Sequence, residues 1–414
     1  MKLSQLFTKT RKDAPKDEVS KNAQLLIRAG FIHKEMAGVY TYLPLGLKVL
    51  NKVEDIIREE MDGLGGQEVL LTALQRQGLW EKTDRWGDDK VDIWFKTQLE
   101  NDNNLGLGWT HEEPLVNALL DHVSSYKDLP LQIYQIQTKF RRELRAKSGI
   151  MRGREFLMKD MYTFARNQKE HEELYKKIQD SYVKIFEKFG LGDKTFLTFA
   201  SGGIFSEFSH EYQTLTDAGE DTIYLDRERG LAVNQEVYND EVLAKLELQK
   251  DKLEEVRAAE VGNVFSLGTK FSEPIGLTYT DESGEEKEVI MGCYGIGVSR
   301  VMGVIAEVFA DNNGLAWPES VAPAQIHLVP IGNLEVVTKK ADELYESLSK
   351  KHEVIYDDRE ESAGTKLADA DLIGVPIRLV ISEKTLATGS VEIKRRTEEK
   401  TELVKFNQLD KFLG

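Results

Sequence analysis

The chain has 414 residues, more than one hydrophobic core normally serves, so two or three domains are expected. Its single cysteine, Cys293, excludes an intramolecular disulfide and a multi-cysteine zinc site and fits a reducing compartment. The formal charge of −16 argues against loose, charge-driven coating of nucleic acid, though not against a local basic site for one RNA. No run of about 18 apolar residues marks a membrane span. MKLSQLFTKTRKDAPKDE at the start holds no apolar core for a secretory signal, and Asp13 and Asp17 weaken a transit-peptide reading, so a cytoplasmic location with no membrane partner is expected.

In chain order, residues 18–40 read as helical and YTYLPLG (40–46) as a turn. Val49, Val53, Ile56, Ile57 and Met61 follow helical spacing until GLGG (63–66), after which EVLLTAL (68–74) reads as a buried strand. Strands are expected around WFKTQ (94–98), LGLGWT (105–110), QIYQIQTKF (132–140) and GREFLMKDMYTFA (153–165), with a helix near 112–122. The last two strands would pair across a basic loop. A helix over 171–190 ends at Gly190. Residues 240–260 predict a charged helix, with Val242, Leu246, Leu253 and Val256 at roughly heptad spacing. VFSLGTKF (264–271) and EVIMGCYGIG (288–297) read as strands, and a helix starts at Val298. WPESVAPAQ (317–325) reads as a linker. Beyond it IHLVPIG, a helix marked by Val337, Ala341, Leu344 and Leu348, EVIYDD, a helix near 364–373, PIRLVIS and SVEIKR alternate as in a small α/β domain.

No GxxxxGK[ST] loop, HExxH helix or HxGH occurs, so a bound nucleotide needs another device. One candidate is KFRRELRAKSGIMRGREFLMKD (139–160), where eight residues are Lys or Arg in an acidic chain. Side-chain alternation projects Arg141 and Glu143 from one face, where an arginine fork can grip a phosphate and Glu143 can accept from an amine. Arg152 and Arg154 follow on the loop and second strand, and Phe156 offers a stacking face. Surface ion pairing explains the same charges. A second candidate is GCYGIGVSR (292–300), whose glycines allow close backbone approach. Helix–sheet packing accounts for those glycines but not for Arg300 on an apolar helix start, because a buried arginine needs an anionic partner. THEE (110–113) reads as a helix N-cap, Thr110 capping and Glu113 at the third helical position.

FRxE-loop-REF (140–156) with GIGVSR (295–300) resembles motifs 2 and 3 of class II aminoacyl-tRNA synthetases. More narrowly, RAG…GVYTYLPLG (28–46), GWTHEEPL (108–115), SSYKDLPLQIYQIQTKFRRE (124–143), MRGREFLMKDMYTF (151–164), GIFSEFSHEYQ (203–213), AEVGNVFSLGTKFSEP (259–274) and MGCYGIGVSR (291–300) resemble the bacterial-type prolyl-tRNA synthetases, in family order. The resemblance implies an α+β catalytic domain with an antiparallel sheet over 1–322 and an α/β anticodon-binding domain over 324–414. It implies ATP and Mg²⁺, L-proline and tRNA(Pro) as partners, and a homodimer. By the resemblance Arg141 binds the α-phosphate and the proline carboxylate, Arg152 the phosphates or the tRNA end, and Arg300 the far end of the triphosphate. Glu143 and Gln213 fall at ATP-binding positions, and Phe156 stacks on adenine. Thr110 and Glu112 accept from the secondary ammonium of proline, with Met158, Asp160, Tyr162, His210 and Cys293 around the pocket. Asp357, Arg359 and Lys366 are the candidates for anticodon contacts, and the metal ligands stay unassigned.

The chain departs from the family in three places. Thr72 stands where motif 1 ends its strand with proline, in the segment that builds the family's dimer interface. Arg142 takes a position usually acidic or polar, and AKS (146–148) replaces a more basic, aromatic segment of the loop. The helical segment 235–260 stands where many relatives insert an editing domain, so clearance of alanyl-tRNA in cis is not expected and a separate editing protein becomes a partner. THEE with REFLMKD favours proline over threonine, histidine or glycine among class II enzymes. A non-catalytic RNA-binding relative would lack the phosphate arginines, and both are present.

Overall fold

The computed structural model describes residues 1–414 apart from 101–102, 145, 147, 204, 206–207 and 414. Two compact units divide the chain: Met1–Glu35 with Tyr40–Lys52 and Ile305–Gly414, and Met36–Val39 with Val53–Val304.

The second unit is built on nine strands: β1 Gln67–Glu68, β2 Leu131–Phe140, β3 Glu155–Ala165, β4 Thr195–Ser201, β5 Phe208–Leu215, β6 Asp221–Asp226, β7 Leu231–Asn234, β8 Glu254–Gly268 and β9 Ile290–Ile296. They lie in the order β5-β4-β7-β6-β8-β9-β3-β2-β1, and β5 also pairs with β8. Pairing is antiparallel except β1 with β2 and β7 with β4. Side chains alternate between faces, so register decides what each face carries. Opposite partners such as Cys293 with Tyr162 and with Phe265 share one face, and Tyr294 with Met161 and Val264 the other.

Helix α2 (Gln168–Lys188) covers the Tyr294 face and buries Ile178, Tyr182, Ile185 and Phe186. Asn167 caps it by accepting from the Glu170 amide, and Gly190, at φ +75°, ends it in a conformation glycine adopts without strain. Under the Cys293 face, α1 (Glu112–Leu119) packs into a cluster with Trp80, Trp94, Trp109, Phe164 and Phe265. Each such aromatic contributes roughly 1.5–3 kcal/mol by leaving water. α3 (Val298–Phe309) follows β9.

In the other unit, β10 (Ile326–Ile331), β11 (Val354–Tyr356), β12 (Ile377–Ser382), β13 (Ser390–Arg395) and β14 (Thr401–Lys405) form a mixed sheet in the order β11-β10-β12-β13-β14. Leu328, Leu379 and Ile381 of its strands pack with Val337 and Ala341 of α4 (Glu335–Leu348). α5 (Ala363–Ile373) is capped by Ser362 and ended by Gly374 at φ +78°.

Four expectations are corrected. Only Lys21–Arg28 of residues 18–40 is helical, and Ile32–Met36 with Val39–Tyr42 forms a hairpin around Gly38 at φ +75°. The expected turn at 40–46 is instead the end of that hairpin and, from Pro44, the start of a helix. EVLLTAL is not a continuous buried strand: regular pairing stops at Glu68, and Leu70 is 78% exposed. The helix over 240–260 is only Asp240–Lys245, because Glu247 turns left-handed at φ 55° and the chain enters β8 at Glu254. There the edge of β6 supplies hydrogen-bond partners that outweigh a weak heptad.

Candidate active site

Arg141 lies just beyond β2, where pairing with β3 ends. Its Nε and Nη2 both donate to the Trp109 carbonyl at 3.3 Å, and the guanidinium sits 5.2 Å from the centre of the Phe156 ring. Arg300, in the first turn of α3, donates from Nε to the Met151 carbonyl at 2.7 Å. Its Nη1 donates to the Glu260 carbonyl at 2.7 Å and to the Glu260 carboxylate at 3.2 Å. Both arginines line one cavity of about 270 Å³ together with Arg152, Phe156, Met158 and Asp221. Burial, and then the charge of Arg300, lower the proton affinity of Arg141. Two cations that repel across one cleft are stabilised by an anion between them. Glu143 also borders the cleft and pairs with Arg152 at 2.9 Å, and Arg152 also pairs with Glu220.

Gly295 and Gly297 line the same cavity; a Cβ at 295 would come within 2.8 Å of Asn263 Oδ1. A register shift between Tyr212 and Gln213 re-aims the far wall, as bulges do. It puts Glu260 beside Asn263, whose Nδ2 donates to it at 2.8 Å. Gln213, fully buried, donates to Glu211 at 2.9 Å and to Asp221 at 2.7 Å. Burial, then the neighbouring Glu260, push the Glu211 carboxyl up to about 8.

At the other end of this face the charges are buried and paired. Thr110 Oγ1 donates to the Glu112 carboxylate at 2.8 Å, so it does not cap α1, whose N-cap is His111 without a side-chain capping bond. Arg85 Nη1 reaches Glu112 at 3.2 Å and Glu113 at 2.9 Å, and Cys293 Sγ lies 3.4 Å from Glu112. Asp160 accepts from Tyr162 at 2.8 Å and from Gln135 at 2.9 Å, and pairs with Lys139 at 2.6 Å. Burial alone would raise the Asp160 carboxyl; the Lys139 ammonium beside it holds it below its ordinary value. Lys139 Nζ lies 2.9 Å from His111 Nδ1, which therefore accepts, leaving Nε2–H to donate to the Thr72 carbonyl at 3.2 Å. Burial, then Lys139, lower the His111 imidazole to about 3.

The structure thus brings Arg141, Glu143, Arg152, Phe156, Met158 and Arg300 to one cavity and Thr110, Glu112, Asp160, Tyr162 and Cys293 to one buried cluster. His210 joins neither. Register puts it opposite Val264, which faces Tyr294, and its Nδ1 bonds the Tyr175 hydroxyl of α2 at 2.8 Å. It therefore stands on the helix-covered face, and its expected place in the pocket is corrected: a one-residue step along a strand reverses the face. Asp357 is fully buried and held bidentately by Arg359 at 2.7 and 2.8 Å. Lys366 is turned inward, donating to the carbonyls of Pro330 and Asp357 at 3.2 and 3.1 Å. Lys147 of AKS and residues 204, 206 and 207 of GIFSEFS lie outside the described residues. Arg85, Lys139, His111 and Glu260 were not singled out from the sequence. Lys139 lay hidden in the cationic run, although as part of an otherwise apolar and amide strand it was a readable signal.

A family model described as the tRNA synthetase class II core domain (G, H, P, S and T) matches residues 95–309, and one described as the anticodon binding domain matches 325–414. A proline–tRNA ligase of Bacillus cytotoxicus is 32% identical over 565 aligned residues, covering 100% of this chain and 99% of the relative. This chain belongs to the proline–tRNA ligase family. A Bacillus cereus proline–tRNA ligase matches with the same identity and coverage. The alignment is longer than the 414 residues here, so these family members carry residues that this chain lacks. In this one, a single short helix and two 3-10 turns connect β7 to β8. The fold is shared with Giardia lamblia prolyl-tRNA synthetase in complex with prolyl-adenylate, at TM-score 0.77 and 20% identity over 93% of this chain and 74% of that one.

Proposed function

We propose that this protein ligates L-proline to tRNA(Pro) in two steps, using ATP. The observation that carries this reading is the pair Arg141 and Arg300 on one cavity, on the same sheet face as the buried Thr110–Glu112 acceptors. In the first step a carboxylate oxygen of proline attacks the α-phosphorus, and the bond to the β-phosphate oxygen breaks to release pyrophosphate. In the second, the terminal ribose hydroxyl of tRNA attacks the prolyl carbonyl and AMP leaves. The first nucleophile is already ionised, so alignment and charge neutralisation carry the rate rather than a strong base. Arg141 exchanges the Trp109 carbonyl for the α-phosphate and proline carboxylate, Phe156 stacks on adenine, and Arg300 holds the far phosphates. Arg152 and Glu143 order the loop against the phosphates or the tRNA end. Glu112 and Thr110 accept the two N–H groups of the secondary ammonium, with Asp160, Tyr162, Met158 and Cys293 around the ring.

Mg²⁺ supplies neutralisation of the phosphate oxygens when bound. Glu260 and Glu211 fit it, because they are hard oxygen donors, and burial and then repulsion from Glu260 raise Glu211. Among the described residues no group of three or more His, Cys, Asp or Glu side chains is arranged to hold a metal alone, which suits an ion that takes other ligands from phosphate. Residues 324–414 read the anticodon, with the half-buried Arg359 as the contact and Asp357 and Lys366 as its supports. The exposed Leu70 and Leu74, at 78% and 55%, flank Thr72 and support a homodimer through this segment. Among the described residues no helix is long and apolar enough to cross a membrane, and a cytoplasmic location follows from the translation role. Alanine lacks only part of the proline ring, a difference worth roughly 1–3 kcal/mol per methylene, so misacylated tRNA is left to a separate editing protein.

The test is ATP–pyrophosphate exchange with proline, threonine, histidine, glycine and alanine. Proline supports the fastest exchange; preference for another amino acid, or none, refutes the reading. Rapid deacylation of Ala-tRNA(Pro) by the purified protein refutes the editing statement alone.

A further inference from the structure

Arg85 lies outside both motifs and before the THEE segment, yet it ends inside the protein. A short helix Gln77–Trp80 and a 3-10 turn Glu81–Thr83 lead to Asp84, which is left-handed at φ 56° and reverses the chain. That reversal turns Arg85 inward, 4% exposed, and Trp94 Nε1 fixes its backbone by donating to its carbonyl at 3.0 Å. The guanidinium lies 4.5–5.1 Å from the ring centres of Trp80, Trp109, Phe205 and Phe271. Among the described residues only Nη1 meets carboxylates, bridging Glu112 at 3.2 Å and Glu113 at 2.9 Å, and Nε and Nη2 have no hydrogen-bond partner. The rings hold the cation's flat faces and edges, so its one bonding nitrogen is aimed and does not wander.

The remaining neighbours of Glu112 explain why that aim matters. Thr110 donates to it and the Cys293 thiol lies beside it, while Lys139, Arg141 and Tyr162 interact with its charge. Glu113 pushes against it from the next position, answered by Arg85 and by Thr83 Oγ1 at 2.7 Å. A buried carboxylate next to another is costly to hold in place without a cation. Burial, against the pull of Arg85, pushes the Glu113 carboxyl up to about 7.

We propose that Arg85 is a positioning residue for proline: it holds the Glu112 carboxylate in the orientation that receives the imino acid, and it takes no part in binding ATP. The inference rests on the assignment of Thr110 and Glu112 to proline. It is read from steady-state ATP–pyrophosphate exchange with the full chain. R85M raises the KM for proline roughly 30-fold or more, the range of a charge-assisted hydrogen bond. The KM for ATP and the turnover at saturating proline stay within about threefold. R85K, which restores a charge without the planar fork, recovers proline affinity only in part. The double variant R85M/E113Q removes the buried cation together with one anion, melts close to the parent, and keeps the raised KM for proline.

A double variant with parental proline KM overturns the proposal, because Arg85 would then serve only to neutralise Glu113. A rise in the KM for ATP equal to that for proline also overturns it. E112Q separates the two levels. If E112Q leaves the proline KM unchanged, the assignment of the pocket falls and this inference with it. If E112Q raises that KM and R85M does not, only this inference falls.

Discussion

The two ends of the site are built on one sheet face but are prepared in opposite ways. At the end proposed for proline the charges are answered in advance: Glu112 by Thr110 and Arg85, Asp160 by Lys139, Tyr162 and Gln135. At the end proposed for the nucleotide Arg141 and Arg300 rest chiefly on neutral backbone carbonyls, beside an open cavity. Bonds to neutral carbonyls are about half as strong as charge-assisted ones, so a triphosphate displaces them readily. A small imino acid has few atoms to recognise and needs a preformed, rigid pocket. A nucleotide carries its own charge and can complete a cleft that is only partly ordered without it.

Experiments that break this contrast fall in order of effect. R141A and R300A should each lower exchange about 10³-fold while the melting temperature stays near the parent's, because backbone carbonyls are their main resting partners and the carboxylate contact of Arg300, to Glu260 at 3.2 Å, is partly exposed; a folded variant with parental exchange removes the nucleotide end from the comparison. E112Q should raise the KM for proline about 100-fold with the KM for ATP unchanged, measured in the same assay. K139M should act on the whole molecule, costing about 3–5 kcal/mol in urea unfolding, because Asp160 is left buried without its cation. A loss below about 1 kcal/mol would mean that the buried network is not preformed.

Two further substitutions sharpen the contrast between the faces of the sheet. Lys159 points to the helix-covered face, where its Nζ donates to the Tyr182 hydroxyl at 2.6 Å and the Tyr294 carbonyl at 3.0 Å. Burial lowers its proton affinity to about 7. Between that value and the unfolded value of roughly 10.5, the unfolded chain binds the extra proton, so this group makes stability rise with pH and destabilises the protein as pH falls toward 7. K159M should flatten the parent's stability–pH slope between about pH 7 and 10; an unchanged slope shows that the lysine keeps its proton throughout. H210A should have the smallest effect, leaving both KM values within about threefold, and a large rise for proline alone would return His210 to the pocket.

Much of this was legible because the chemistry is concentrated. FRRE, REFLMKD and GIGVSR carry charge and glycine where an apolar sheet would not, and the cavity forms where those segments meet. The long strands and the helix ended by Gly190 were readable from alternation and helical period. His210 was misplaced because a sequence does not show which face of a strand meets the helix. Residues 240–260 were misread because the edge of β6, supplied from 221–226, decides their state. Arg85 was missed because nothing local marks an arginine that a left-handed Asp84 will turn inward.

By itself the sequence determined the residue types offered to the candidate site, the order of the motifs and the shortness of the link between β7 and β8, since these are properties of the chain read along its length. Only the tertiary structure decided which side chains share a face, that a bulge at Tyr212/Gln213 swings Glu260 toward Arg300, and that Arg85 reaches Glu112. Those depend on strand register and on burial, which arise only when distant segments pair and exclude water together.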